Sequence, residues 1–171
     1  ALLTGSTAFS QDSIRQRIIL VGDAGEISKY QQAALQHAAG QVKSGKTTVL
    51  YLGDNIYPRG MSIKNDQAIN ESQEILRTQY SPMRNAGADI FFVPGNHDWD
   101  KSGPAGLAKI QAQSSFINGL NDPHISFVPA NGCPDPVAIP IGDNMVIIAY
   151  DSEWWLYPFS KFNSETDCDC R

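Results

Sequence analysis

The chain has 171 residues, which at about 150 residues per domain amounts to one domain or part of one. Hydrophobic residues make up 42% and charged residues 18%, below the roughly 25% usual in globular chains, so a charge-rich disordered tail is excluded. Thirteen Lys and Arg against eighteen Asp and Glu leave a net charge of −5, with no basic stripe for nucleic acid and no apolar run near the ~18 residues that cross a bilayer.

The chain opens on Ala1-Leu2-Leu3-Thr4-Gly5-Ser6-Thr7-Ala8-Phe9-Ser10 and turns polar at Gln11-Asp12-Ser13. An apolar stretch ending in small residues reads as the remnant of a secretory signal peptide or as a flexible lead-in. Residues 1–13 are therefore set apart from a domain over 14–171, and export to the periplasm, cell envelope or medium is expected.

Arg17-Ile18-Ile19-Leu20-Val21 is a short β-branched run closed by Gly22-Asp23-Ala24-Gly25, the pattern of a buried strand ending in a turn. Ser28 can cap a helix over Lys29 to Lys43, with Ala33, Ala34, Ala38 and Val42 as its small-residue face. Thr47 to Leu52 reads as a second strand, stopped by Gly53-Asp54 and followed by the loop Asn55-Ile56-Tyr57-Pro58-Arg59-Gly60. Asp66 to Arg84 has a helical pattern on Ile69, Ile75, Leu76 and Tyr80, and Pro82 should disturb its end. Asp89 to Val93 is a third strand, closed by Pro94-Gly95-Asn96-His97-Asp98. A helix is expected over Ala105 to Leu120. Val137 to Ile141 and Met145 to Tyr150, parted by Gly142-Asp143-Asn144, then suggest a hairpin. Strands alternating with helices point to βαβ units and an α/β fold.

Three of these strands end alike, in Gly22-Asp23, Gly53-Asp54 and Gly95-Asn96. One Gly-Asp turn is punctuation, but three in register on parallel strands bring their polar side chains to one rim, where open α/β sheets bind ligands. Two Asp and one Asn, with Tyr57 and His97 nearby, form an oxygen-rich set suited to hard metal ions.

Gly22-Asp23-Ala24-Gly25, Gly53-Asp54-Asn55-Ile56-Tyr57 and Gly95-Asn96-His97-Asp98 resemble the first three motifs of the calcineurin-like metallophosphoesterases. They are most similar to the purple acid phosphatase branch. Most of the superfamily has a His two residues after the first Asp; here that place holds Gly25, and Tyr57 stands where the purple branch puts its compensating ligand. The resemblance implies a calcineurin-like core, an α-β-β-α sandwich, and hydrolysis of phosphate esters by a metal-bridging hydroxide at a dinuclear site. It implies Asp23 and Tyr57 on the first metal, Asp54 bridging both, and Asn96 on the second, with iron paired with iron, zinc or manganese. His97 would protonate the leaving oxygen, with Asp98 supporting it from behind.

The family completes its site with later histidine motifs, whereas this chain has only His37, His97 and His124. The expectation is that the C-terminal half of the core is missing from this chain and that 14–171 is the N-terminal portion of a longer enzyme. The alternative is a non-catalytic binding or assembly module that keeps the fold with an incomplete metal site. His37 reads as a surface residue and His124 as part of a loop or strand start.

Gly40-Gln41-Val42-Lys43-Ser44-Gly45-Lys46-Thr47 satisfies the P-loop pattern, but a helix runs into it and a strand leaves it, the reverse of the order that cradles phosphate. Cys133 can pair with Cys168 or Cys170, leaving one odd thiol; a thiolate metal site competes but lacks a fourth ligand. Asn70-Glu71-Ser72 is a formal glycosylation sequon placed in a predicted helix, and Asp151 reads as structural. Trp154-Trp155-Leu156-Tyr157 could line a rim or pack in the core.

Overall fold

The computed structural model describes residues 14–161. Four strands, β1 (Arg17–Val21), β2 (Thr47–Leu52), β3 (Asp89–Val93) and β4 (Ile125–Phe127), form a parallel sheet in the order β1-β2-β3-β4. The crossovers carry α1 (Lys29–Ala39), α2 (Asp66–Asn85) and α3 (Gly106–Asn118). A separate antiparallel hairpin, β5 (Val137–Ile141) and β6 (Met145–Ala149), is followed by the short α4 (Glu153–Leu156).

Side-chain alternation along the strands builds two cores. Val49, Tyr51, Ile90 and Phe92 are fully buried on one face against Leu35, Leu76, Met83, Ile110 and Ile117 of the three helices. On the other face Leu50, Ile18, Phe91 and Val93 meet Ile139, Ile141 and Ala149 of the hairpin. Helices, sheet and hairpin sheet thus form three of the layers of an α-β-β-α core. The second core is incompletely covered: Leu20 is 61% exposed on the hairpin side, and Val146 and Ile148 face outward at 56% and 57%.

The helices depart from the sequence reading in instructive ways. Ser28 caps α1 by accepting from Gln31 N–H at 3.1 Å. The helix ends at Ala39 rather than Lys43, because Gly40 caps it and the next amides tighten onto Ala38 and Ala39 carbonyls. Its inward face is Leu35 with Ala38, Ala39 and Val42, while Ala33 and Ala34 are exposed. Pro82 lies inside α2 and does not end it; the ring removes one N–H, but the Pro82 carbonyl still accepts from Ala86 at 3.3 Å. The buried face of α2 is Ser72, Leu76, Gln79 and Met83, two of them polar. β6 stops at Ala149, one residue before Tyr150.

Of the aromatic run, Trp154 and Tyr157 are buried while Trp155 and Leu156 are 69% and 70% exposed, so both readings hold for half of it. Tyr157 packs on Trp99, with ring centroids 4.7 Å apart. Asp151 is buried and accepts from the Trp99 indole N–H at 2.6 Å. Cys133 is disulfide-bonded; Cys168 and Cys170 lie outside the described residues, as do residues 1–13.

Candidate metal centre

Because β1, β2 and β3 are adjacent and parallel, the loops after them meet at one sheet edge. Asp23 and Asp54 both adopt left-handed backbone conformations, at φ 56° and 54°, directly after Gly22 and Gly53. Asp23 N–H donates to the Gly53 carbonyl at 3.3 Å and Tyr57 N–H to the Gly25 carbonyl at 2.9 Å, so the first two loops are bonded together. A side chain at Gly25 could not fit: its Cβ would stand 2.5 Å from the Asp54 carbonyl and 2.8 Å from the Ile56 and Tyr57 amides. The lack of a side chain at Gly25 is thus what lets these loops touch.

The Tyr57 hydroxyl lies 2.7 Å from Asp23 Oδ1 and 3.0 Å from Asp54 Oδ2, joining the two carboxylates. Burial and then these two hydrogen bonds push the Tyr57 phenol well above its ordinary range. Asp54 Oδ1 accepts from His97 N–H at 3.1 Å, which ties the third loop to the second. Asn96 is exposed at this same edge, next to His97.

The His97 ring stands edge-on to Tyr57, centroids 4.4 Å apart, with Nε2 3.9 Å from Asp54 Oδ2. Its other nitrogen, Nδ1, lies 2.7 Å from the Pro58 carbonyl. A carbonyl only accepts, so Nδ1 carries a proton and Nε2 is the nitrogen turned to the rim.

Asp98 does not support this ring as the resemblance implied. It is fully buried and accepts from Asn55 N–H at 3.1 Å, Asn55 Nδ2 at 3.2 Å, Ile56 N–H at 3.1 Å and Gly95 N–H at 2.8 Å. Four inward donors clustered at one point hold the carboxylate beneath the loops rather than beside His97. Burial pushes its carboxyl up to about 7 against the pull of those N–H groups. Asp98 therefore positions the Asn55–Ile56 backbone instead of touching the reacting groups.

Three contributors were not legible beforehand. Pro58 acts through its backbone carbonyl, which no side-chain motif advertises. Asn55 donates from Nδ2 to Val93 O at 2.8 Å, and Gln79 of α2 donates to the Asn55 carbonyl at 2.8 Å. The signal for Gln79 was a polar residue spaced three from Leu76 and four from Met83, in line with the core face of α2. His37 is exposed on α1, and His124 pairs with Asp89 at the amino end of β3, 2.7 Å away, so neither reaches the rim.

Among the described residues no group of three His, Cys, Asp or Glu could hold a metal ion. The rim instead offers two carboxylates, a phenol and a carboxamide, a hard all-oxygen set that fits an oxygen-seeking cation. No helix of the described residues is long and apolar enough to cross a membrane.

The chain matches no curated protein and no solved structure. The family model for calcineurin-like phosphoesterases matches residues 16–156, which include all three loops. Members of that family act on phosphate esters and generally bind two metal ions. By its motifs, its fold and this match, the chain belongs to the calcineurin-like phosphoesterase family.

Proposed function

We propose that this chain carries active-centre residues of a purple acid phosphatase-like hydrolase that works outside the cytoplasm. The observation that carries the reading is the Tyr57 hydroxyl held between Asp23 and Asp54. Asp23, Tyr57 and Asp54 would hold one ion, iron, and Asp54 with Asn96 a second ion, iron, zinc or manganese. Bound there, the metals supply Lewis acidity to the phosphoryl oxygens and lower the pKa of the attacking water.

The chain's own residues account for the remaining tasks. The Tyr57 proton now shared with two carboxylates is the one that must leave for the phenolate to act as a ligand. His97 is fixed through its Nδ1–H by the Pro58 carbonyl, so as an imidazolium it would give the second proton, on Nε2, to the leaving oxygen and return to the neutral Nδ1–H ring. The disulfide at Cys133 supports an oxidising compartment.

The test uses the full-length protein loaded with iron. Tyr57→Phe should abolish the visible tyrosinate-to-iron absorption, and Asp54→Ala should lower the content of both metals and remove turnover of 4-nitrophenyl phosphate. An unchanged spectrum in Tyr57→Phe would remove the purple-branch reading. Metal binding without turnover in the wild type would favour the non-catalytic module.

A further inference from the structure

We infer that a hollow on one side of Tyr57 is the leaving-group subsite of this centre, and that it takes an aryl group bearing a second anion. The inference rests on the function proposed above. The hollow has a volume of about 730 Å³, within the ~300–1,000 Å³ of small-molecule sites, and Tyr57 and Pro58 form part of its wall. An ester whose phosphoryl group sits at Asp23, Asp54 and Tyr57 would therefore extend its other end into it.

The walls specify the kind of group. Pro58, Ile63, Ala68, Ile75 and Ala105 supply apolar surface suited to a flat ring. Arg59, Lys64 and Lys109 stand against Glu71 and Asp100, an excess of one positive charge in a chain of net charge −5. Lys109 Nζ is already committed, donating to Asp100 Oδ1 and to the Arg59 carbonyl, each at 2.7 Å. Arg59 is not. Its Nη1 alone is engaged, with the Asp100 carbonyl at 3.1 Å and Asp100 Oδ1 at 3.4 Å, and its side chain is 58% exposed. A guanidinium has five N–H donors, so most of its capacity remains for an anion at the lip.

The turn that holds this cation from across the hollow's wall is specially built. Asp100, Lys101 and Ser102 have φ of 59°, 53° and 55°, three successive non-glycine residues in the left-handed region. Such conformations persist only where surrounding contacts hold them. Here the Asp100 contacts with Lys109 and Arg59, and the Ser102 hydroxyl bonded to Glu153, provide the hold.

A second hollow gives the contrast. It measures about 320 Å³, shares Tyr57, Glu71 and Ile75 with the first, and is lined by Glu26, Glu71 and Glu74 with no cation. An anionic leaving group is repelled there and attracted on the Arg59 side. The two sides of Tyr57 thus give the substrate a direction.

The experiment measures calorimetric affinities of the full-length, metal-loaded protein for three phosphonates that cannot be hydrolysed. These are methylphosphonate, 2-naphthylmethylphosphonate, and the latter with a 6-carboxylate. The wild type should prefer the carboxylated ligand over the plain naphthyl one, and Arg59→Ala should cut that preference by about fivefold. Ala68→Trp, which fills the hollow without touching the Arg59–Asp100 contact, should lower the naphthyl-to-methyl affinity ratio about tenfold. Unchanged ratios in both variants overturn the subsite.

Turnover of 4-nitrophenyl phosphate is read in parallel. Turnover with unchanged ratios refutes the subsite and leaves the hydrolase standing. Shifted ratios without turnover confirm the ligand class of the hollow and refute the hydrolase.

Discussion

At the carboxyl end of β2 the chain runs Gly53-Asp54-Asn55; at the amino end of the same strand it runs Gly45-Lys46-Thr47, the close of a full P-loop pattern. At the amino end the amides are taken up by the turn itself and by the connection between α2 and β3. Gly45 N–H donates to Gly87 O at 3.0 Å, Lys46 N–H to Lys43 O at 2.9 Å, and Lys43 N–H to the Thr47 hydroxyl at 2.8 Å. These three amides are not free to cradle a phosphate. At the carboxyl end the turns close on one another through backbone contacts, and the oxygens of Asp23, Asp54 and Tyr57 meet at the edge. Two phosphate-type patterns on one strand therefore differ in the direction of the chain, which decides where N–H groups and side chains end up.

The strongest way to break this comparison is His97→Ala in the full-length enzyme. Loss of a general acid should lower kcat by roughly 10²–10⁴-fold, with the fold intact by circular dichroism. Full activity in that variant would detach the third loop from the chemistry.

Acid titration separates the two ends by sign. At the amino end the Arg84 guanidinium, 2.7 Å away, holds the Asp122 carboxyl below its usual range. Beneath the chemical end, burial pushes Asp151 up to about 6. A carboxyl raised above its unfolded value keeps its proton while the unfolded chain ionises. Its contribution is therefore present in full below about pH 4 and is lost as pH rises through about 6. Relative to Asp151→Asn, the wild type should lose on the order of 2 kcal/mol across that window, measured by urea denaturation. A difference that does not change with pH would show that folding leaves the Asp151 carboxyl unshifted.

Two glycines sharpen the comparison at smaller scale. Gly25→Ala forces backbone apart at the chemical end and should cost about 1–3 kcal/mol, with activity falling alongside. Gly45→Ala meets no atom within 4 Å and strains only a φ of +68°, so about 1 kcal/mol is expected with no change in turnover. Equal effects on activity would mean that the crowding at Gly25 is not what sets the site.

Strands, turns and the order of elements were legible because they depend on near neighbours: β-branched runs, glycine after each strand, and Ser28 before α1. All three strands that bear the loops run over the expected residues, and the three polar turns share one edge as their common pattern required. Helix ends were less legible, since Gly40 and Pro82 act through caps and carbonyls rather than through hydrophobic pattern.

By itself the sequence determined the parallel α/β arrangement, the family, and the placing of Asp23, Asp54, Tyr57, Asn96 and His97 at one edge. Only the tertiary structure decided which groups bond. Asp98 follows His97 in sequence, yet besides Gly95 its partners are Asn55 and Ile56, more than 40 residues away, while His97 rests on Pro58 at a separation of 39. A polar side chain in a folded core takes the donors or acceptors that the packed loops bring to it, and chain adjacency alone does not make that choice.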